Sequence, residues 1–73
     1  MTLTRRQTRF MSFLLGLRQY SIDQLVLIIR DKRYPQLMRV AALRWLIGAA
    51  PLDVTQGATY LARRRYVRRH YGV

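Results

Sequence analysis

A helix-capping pattern occurs three times in this chain and decides which secondary structure it can adopt. Thr4, Ser21 and Asp53 are each followed three residues later by a glutamine, at positions 7, 24 and 56. In this pattern the cap side chain accepts a hydrogen bond from a backbone amide of the first turn, and the glutamine side chain accepts one from the amide of the cap. The sequence therefore predicts a helix beginning at each of these sites.

Apolar side chains recur after the first two caps at the spacing of one helix face. The stripe of the first helix comprises Phe10, Phe13, Leu14 and Leu17, and that of the second comprises Ile22, Leu25, Val26 and Ile29. The second helix is expected to end near Arg33, because Tyr34 precedes a proline and is disfavoured in helical geometry.

A third helix is expected from Pro35 or Gln36 to Ile47, and it is apolar on most sides, which is typical of a helix at the centre of a bundle. A fourth should begin at Asp53 and direct four side chains toward the core, namely Val54, Ala58, Leu61 and Ala62. We expect an all-α fold, a small compact bundle of about four short helices. It forms a single domain over residues 1–73, with a basic C-terminal helix; residues 63–73 are a basic segment that can be flexible.

The charge of the chain is strongly unbalanced. Fourteen basic residues face three acidic ones, which gives a net charge of +11, and all the basic residues except Lys32 are arginine. Such an excess favours nucleic acid, anionic membrane or acidic protein as a partner. The planar guanidinium suits phosphate and carboxylate, although a GC-rich coding sequence explains the preference for arginine over lysine equally well.

Composition also limits the compartment and the chemistry. The chain has no cysteine, and its apolar run Phe10 to Leu17 is too short for a signal peptide and lacks a cleavage site, so a cytoplasmic location is expected. With no glutamate, three separated aspartates and His70 as the single histidine, the residues of an active site or metal site are missing. We expect neither an enzyme nor a cofactor, and we interpret His70 as solvated.

The most basic segment lies near the C-terminus and supplies the candidate binding residues. These are Arg63, Arg64, Arg65, Arg68 and Arg69, with Tyr66 and Tyr71 as residues that could stack on bases. In a helix, Arg64 lies above Arg68 and Arg65 above Arg69, and such like-charge pairs favour an anionic partner. Two alternatives stay open: basic residues complement the dipole of a helix C-terminus, and Tyr66 can belong to the core.

Arg5, Arg6 and Arg9 form a second basic cluster, on the first helix. Cations near a helix N-terminus oppose its dipole, so this cluster has no capping role and is a secondary candidate for binding.

In length, charge and overall plan the chain resembles the small RNA-polymerase-binding regulators that lytic phages, among them a phage of Xanthomonas, make against host transcription. The resemblance implies inhibition of initiation or antitermination, in the cytoplasm of the host, through contact with acidic polymerase surfaces and nascent RNA. No motif carries it, so no binding residue is transferred from that family.

Three other functions are compatible with the sequence. A nucleic-acid-binding protein without sequence specificity would use the same arginines. A helix-turn-helix reader would place the third helix in DNA, but only Gln36, Arg39 and Arg44 could contact bases. A membrane-active cationic bundle is disfavoured because Trp45 is expected to be buried in the central helix.

Overall fold

The structure, a computed structural model, describes residues 2–52 and 59–73. Within these residues the chain forms four α-helices, which are α1 (Arg5–Gly16), α2 (Ile22–Arg30), α3 (Gln36–Gly48) and α4 (Tyr60–Tyr71). A short 3-10 helix, Leu17–Gln19, follows α1 directly, and no strand occurs in the described part of the chain. The predicted all-α fold is confirmed.

The first two capping patterns form as predicted. Thr4 Oγ1 accepts a hydrogen bond from the Gln7 amide at 3.2 Å, and Gln7 Oε1 accepts one from the Thr4 amide at 2.9 Å. Ser21 and Gln24 make the same reciprocal pair at 3.2 and 2.8 Å. These contacts satisfy amides that have no partner inside the helix, and they fix where α1 and α2 begin.

Helix α2 ends at Arg30, so the predicted end near Arg33 was wrong. Asp31 has extended geometry, with φ −83° and ψ 106°, and its carboxylate accepts a hydrogen bond from the Arg33 amide at 2.9 Å. The aspartate side chain thereby holds a turn that competes with further helix. Pro35, with φ −55° and ψ 144°, directly precedes α3, which begins at Gln36, one of the two predicted starts.

Helix α3 lies at the centre of the fold, in agreement with the sequence. It packs against α1, α2 and α4, most extensively against α2. Buried apolar residues from all four helices meet around it: Phe13, Leu17, Leu25, Ile28, Ile29, Ala42, Leu46, Ile47, Ala50 and Val67.

The sides of α3 are not all covered, however. Leu37 and Trp45 are 68% and 43% exposed, and Val40 is also exposed. The prediction that Trp45 is buried was therefore wrong. Three short neighbouring helices, of which α1 contacts α3 over a small area, do not enclose the whole of a 13-residue helix.

Helix α4 buries a different face from the one predicted. Its start at Tyr60 is capped by Thr59, whose hydroxyl accepts a hydrogen bond from the Ala62 amide at 3.2 Å. Leu61 is 65% exposed, against prediction, whereas Val67 is completely buried. The basic segment is thus helical as far as Tyr71, and it packs on the core through Tyr66, Val67 and Tyr71. The capping pattern Asp53 to Gln56, with Val54 and Ala58, lies outside the described residues.

No helix among the described residues combines the length and the apolar character needed to cross a membrane.

Candidate functional site

The exposed side of α4 carries three arginines. Arg65, Arg68 and Arg69 are all exposed, and their side chains donate no hydrogen bond to any described residue. At 100° per residue they occupy one continuous side of the helix, with the exposed Leu61 one turn before Arg65. We call Arg65, Arg68 and Arg69 the arginine face.

Arg63 lies on the inner side of α4 and contacts the end of α3. Its Nη1 donates to the carbonyl oxygens of Gly48 and Ala50 at 3.1 and 2.8 Å, and its Nη2 donates to that of Leu52 at 3.3 Å. The carbonyls at a helix C-terminus lack partners within the helix and carry the negative end of its dipole, so a guanidinium there is stabilising. Arg63 therefore holds α4 against α3.

Arg64 is half-buried and contacts the end of its own helix. Its Nη1 donates to the main-chain oxygen of Val73 at 2.7 Å. The five arginines predicted as one binding surface are therefore divided by the structure. Three are free at the surface of the described chain, and two donate to main-chain oxygens.

The two tyrosines of the segment lie beside the core. Tyr66 and Tyr71 are half-buried and pack against the buried apolar residues. The Tyr66 ring also stacks on His70, with ring centroids 3.8 Å apart and an angle of 19° between the planes. The structure thus places Tyr66 at the core, which is the alternative that the sequence left open, and one of its ring faces is covered by the imidazole.

Guanidinium groups link the ends of three helices in a cycle. Arg39 of α3 donates from Nε to the Ile29 carbonyl near the end of α2, at 2.8 Å. Arg63 of α4 binds the end of α3, as described above, and Arg30 of α2 donates to the Tyr71 carbonyl at the end of α4. We call Arg30, Arg39 and Arg63 the capping arginines.

Sequence reasoning missed the capping arginines. Their acceptors lie between 10 and 41 residues away along the chain, so no local spacing identifies them. The use of Arg39 within the protein also weakens the helix-turn-helix interpretation, because one of its three base readers is half-buried and occupied.

Arg5, Arg6 and Arg9 are exposed on the first turns of α1, as predicted. Arg6 and Arg9 also line a groove of about 700 Å³ between α1 and the start of α3. Two members of the second basic cluster therefore lie at a concave and largely apolar surface.

One acidic residue is tied to a cation in the α2–α3 turn. Arg33 donates to Asp31 from Nε at 3.0 Å and from Nη2 at 2.9 Å, in a two-pronged ion pair. The side-chain and amide hydrogen bonds from Arg33 lower the pKa of the Asp31 carboxyl. The pair is far along the chain from the arginine face, and nothing acidic follows Asp53 in the sequence.

Within residues 2–52 and 59–73, His and Asp side chains form no group of three that could hold a metal ion. The arrangement is suited to binding: an exposed cationic side of one helix, and a groove with a cationic rim on two others.

No family model matches this chain, and no curated protein or solved structure is significantly similar to it.

Proposed function

We propose that this chain is a non-catalytic binding module whose arginine face contacts an acidic partner, and that the partner is the RNA polymerase of a host cell. In this proposal the protein acts in the host cytoplasm and modulates transcription, by inhibiting initiation or by antitermination. The polymerase is suggested by the resemblance in length, charge and plan. The arginine face is the observation that carries the binding function.

The electrostatics of α4 support an anionic partner. Arg65 and Arg69 are one turn apart, a like-charge pair that costs an isolated helix roughly 0.2–0.5 kcal/mol. No acidic residue lies anywhere in α4 to offset it. An acidic surface would turn this repulsion into attraction and would form bidentate contacts with the guanidinium groups.

The separation of the capping arginines from the arginine face also supports binding. Arg63 is occupied in holding α4 against α3, whereas the side chains of Arg65, Arg68 and Arg69 make no such contact with described residues. A partner can therefore engage the arginine face without competing for contacts that maintain the fold.

An exposed leucine favours a protein over bare phosphate as the partner. Leu61 is one turn before Arg65 and two turns before Arg68 on the same side of α4. Leu61 adds apolar area that phosphate cannot contact, and arginine is enriched at protein–protein interfaces.

Affinity purification from a lysate of the native host, with and without nuclease, tests this function. We expect the polymerase subunits to be recovered under both conditions, and to be lost with the variant R65Q/R68Q/R69Q. The matched control is R18Q/K32Q/R33Q, which removes the same number of charges from exposed positions outside the arginine face and outside the cluster of Arg5, Arg6 and Arg9. Recovery that disappears with nuclease, or equal loss with both variants, would contradict the proposal.

Nucleic acid is the second candidate partner, because the arginine face can equally neutralise phosphates. Binding to duplex would weaken with salt at a slope of about −0.9 per neutralised phosphate, hence about −2.7 for three arginines. A titration of duplex DNA over a range of salt concentrations measures this slope. A flat response would exclude this function.

A membrane-active function is favoured by one observation, the exposure of Trp45 with Leu37 and Val40 on the same helix. Tryptophan with neighbouring apolar and cationic side chains is typical of helices that lie in a membrane interface. Release of dye from anionic vesicles at micromolar protein would support it, and intact vesicles at that concentration would exclude it.

A further inference from the structure

Two adjoining hollows form one groove between α1 and α3. The larger, of about 700 Å³, lies between α1 and the α2–α3 turn, and the smaller, of about 400 Å³, continues along α3. Phe10 and Leu37 line both of them, so the hollows share a boundary. We call this surface the α1/α3 groove.

Aromatic and aliphatic side chains form the floor of the α1/α3 groove. The aromatic residues Phe10, Phe13, Tyr20 and Tyr34 lie at one end, and Trp45 lies at the other. Leu37, at the boundary, is 68% exposed although it is apolar. Exposed apolar side chains gathered in a concave surface, with polar groups at its rim, are typical of a binding site for an apolar ligand or helix.

The charge at the rim of the groove is positive. Arg6 and Arg9 lie at the aromatic end and Arg44 lies at the Trp45 end, while none of the described residues that line the groove is acidic. Arg6, Arg9, Phe10 and Phe13 share one face of α1, at the spacing i, i+3, i+4 and i+7. The face that buries Phe13 in the core therefore becomes cationic toward the N-terminus of the helix.

We propose that the α1/α3 groove binds an acidic amphipathic helix of a partner protein. An apolar stripe at i, i+4 and i+7 would lie along the floor, and acidic residues beside the stripe would meet Arg6, Arg9 and Arg44. Charge complementarity selects this occupant. A second copy of the chain would bring a net charge of +11 against the same arginines, and self-association is therefore disfavoured.

This site is separate from the arginine face. The groove is formed by α1, α3 and the turn before α3, whereas the arginine face belongs to α4. Each can thus be lost without the other, and the chain has surfaces for two partners at once.

A synthetic helix serves as the probe. It is a fluorescein-labelled peptide of about 14 residues with leucines at i, i+4 and i+7 and glutamates at most other positions. Trp45 is the single tryptophan of the chain and lines the groove, so its fluorescence reports occupancy directly. We expect saturable binding by anisotropy and, at the same peptide concentration, a change in the emission of Trp45.

Two leucines of nearly equal exposure provide the test and its control. Leu37→Glu places a carboxylate in the groove and should weaken peptide binding by about tenfold or more. The new carboxylate repels the glutamates of the peptide, and the apolar stripe of the peptide would cover a charge that has no partner. Leu27→Glu makes the same change on α2, outside the groove and away from the arginine face, and should leave the affinity unchanged. Both leucines are more than 60% exposed, so neither change should unfold the protein.

Control peptides separate the possible outcomes. A peptide of the same composition with scrambled leucines, and one with lysines in place of glutamates, should both bind at least tenfold more weakly. Equal binding of the lysine peptide, equal effects of L37E and L27E, or no binding of the acidic peptide would overturn the proposal. A dimer in sedimentation that L37E dissociates, or vesicle binding that L37E abolishes without peptide binding, would assign the groove to another occupant and also overturn it.

Discussion

The arginine side chains of this chain differ in what they contact. The capping arginines, Arg30, Arg39 and Arg63, donate to carbonyls at helix ends, whereas the side chains of the arginine face donate to no described residue. The two sets cannot be told apart in the sequence, because the members of both are arginines within helices. Only the packing of one helix on another decides which guanidinium groups meet a carbonyl.

Replacing Arg63 by methionine tests the structural purpose. The change keeps an unbranched stem but removes the donors to the carbonyls of Gly48, Ala50 and Leu52, some of which are partly buried. Loss of such partners should lower the free energy of unfolding by about 1–3 kcal/mol. Urea denaturation followed by far-UV circular dichroism measures it. Arg65→Met is the control and should change stability by less than about 0.5 kcal/mol; equal effects would contradict the assignment.

Two glycines should respond to alanine with opposite signs. Gly72 ends α4 with a positive φ of 68°, and a Cβ there would lie 3.2 Å from Nη2 of Arg30. Gly72→Ala should therefore destabilise the fold by about 1–2 kcal/mol. Gly48, at the last position of α3, has nothing within 4 Å of its Cβ position, and Gly48→Ala should stabilise by about 0.4–1 kcal/mol. Thermal melts of both variants measure the two signs, and a stabilising Gly72→Ala would refute the geometry at this end.

The Asp31 carboxyl should titrate below the range of a free aspartate. Its pKa is lowered chiefly by the hydrogen bonds from the Arg33 side chain. A depressed folded pKa contributes stability above the unfolded value of about 3.9, and this contribution is lost as pH falls through the folded pKa. Carboxyl ¹³C NMR titration should give Asp31 a lower pKa than in the variant Arg33→Gln. Identical values in the two proteins would show that the ion pair does not persist in solution.

At the scale of the helices, the elements whose ends are set locally could be predicted from the sequence. The caps at Thr4 and Ser21 involve side chains three residues apart, and both form as predicted. The end of α2 was misjudged because the prediction rested on Tyr34 preceding a proline, whereas the Asp31 side chain closes a turn earlier in the chain. Hydrogen bonds between nearby side chains and amides determine these ends, and a proline sets only the last residue that a helix can reach.

The orientation of α4 could not be predicted from its own sequence. Its apolar residues fit two faces, one through Leu61 and Ala62 and another through Tyr66, Val67 and Tyr71. The second is buried, with Arg63 and Arg64 half-buried beside it, because long guanidinium stems cover apolar surface while their heads reach carbonyls. Three of the five predicted arginines consequently face solvent, and two do not.

The arginine face should be dispensable for stability. In R65Q/R68Q/R69Q the like-charge pair of Arg65 and Arg69 is removed and no described hydrogen bond is lost. Arg68 and Arg69 also lie in the last turn of α4, where cations favour the helix dipole, so their loss offsets the relief of this repulsion. We therefore expect a stability within about 1 kcal/mol of that of the wild type. Urea denaturation measures this difference, and a loss above about 1 kcal/mol would mean that these arginines maintain the fold.

At the scale of the whole molecule, the core is too small to cover all the apolar side chains of the central helix. Three helices contact α3 and leave Leu37, Val40 and Trp45 exposed. The hydropathy pattern could not show this, because α3 is apolar on most sides and the pattern does not tell which side lacks a neighbour. The net charge of +11 was evident from composition. Only the tertiary structure shows which basic residues bind helix ends, which one forms an ion pair and which lie on an exposed side of a helix.

The affinity for purified RNA polymerase of the native host, free of nucleic acid, tests the central claim most directly. Three proteins are compared: the wild type, R65Q/R68Q/R69Q, and the control R18Q/K32Q/R33Q, the last two having the same net charge. We expect the wild type and the control variant to bind with similar affinity, and the arginine-face variant to bind at least about tenfold more weakly. Equal weakening in both variants, or wild-type affinity for R65Q/R68Q/R69Q, would contradict the assignment of binding to this side of α4.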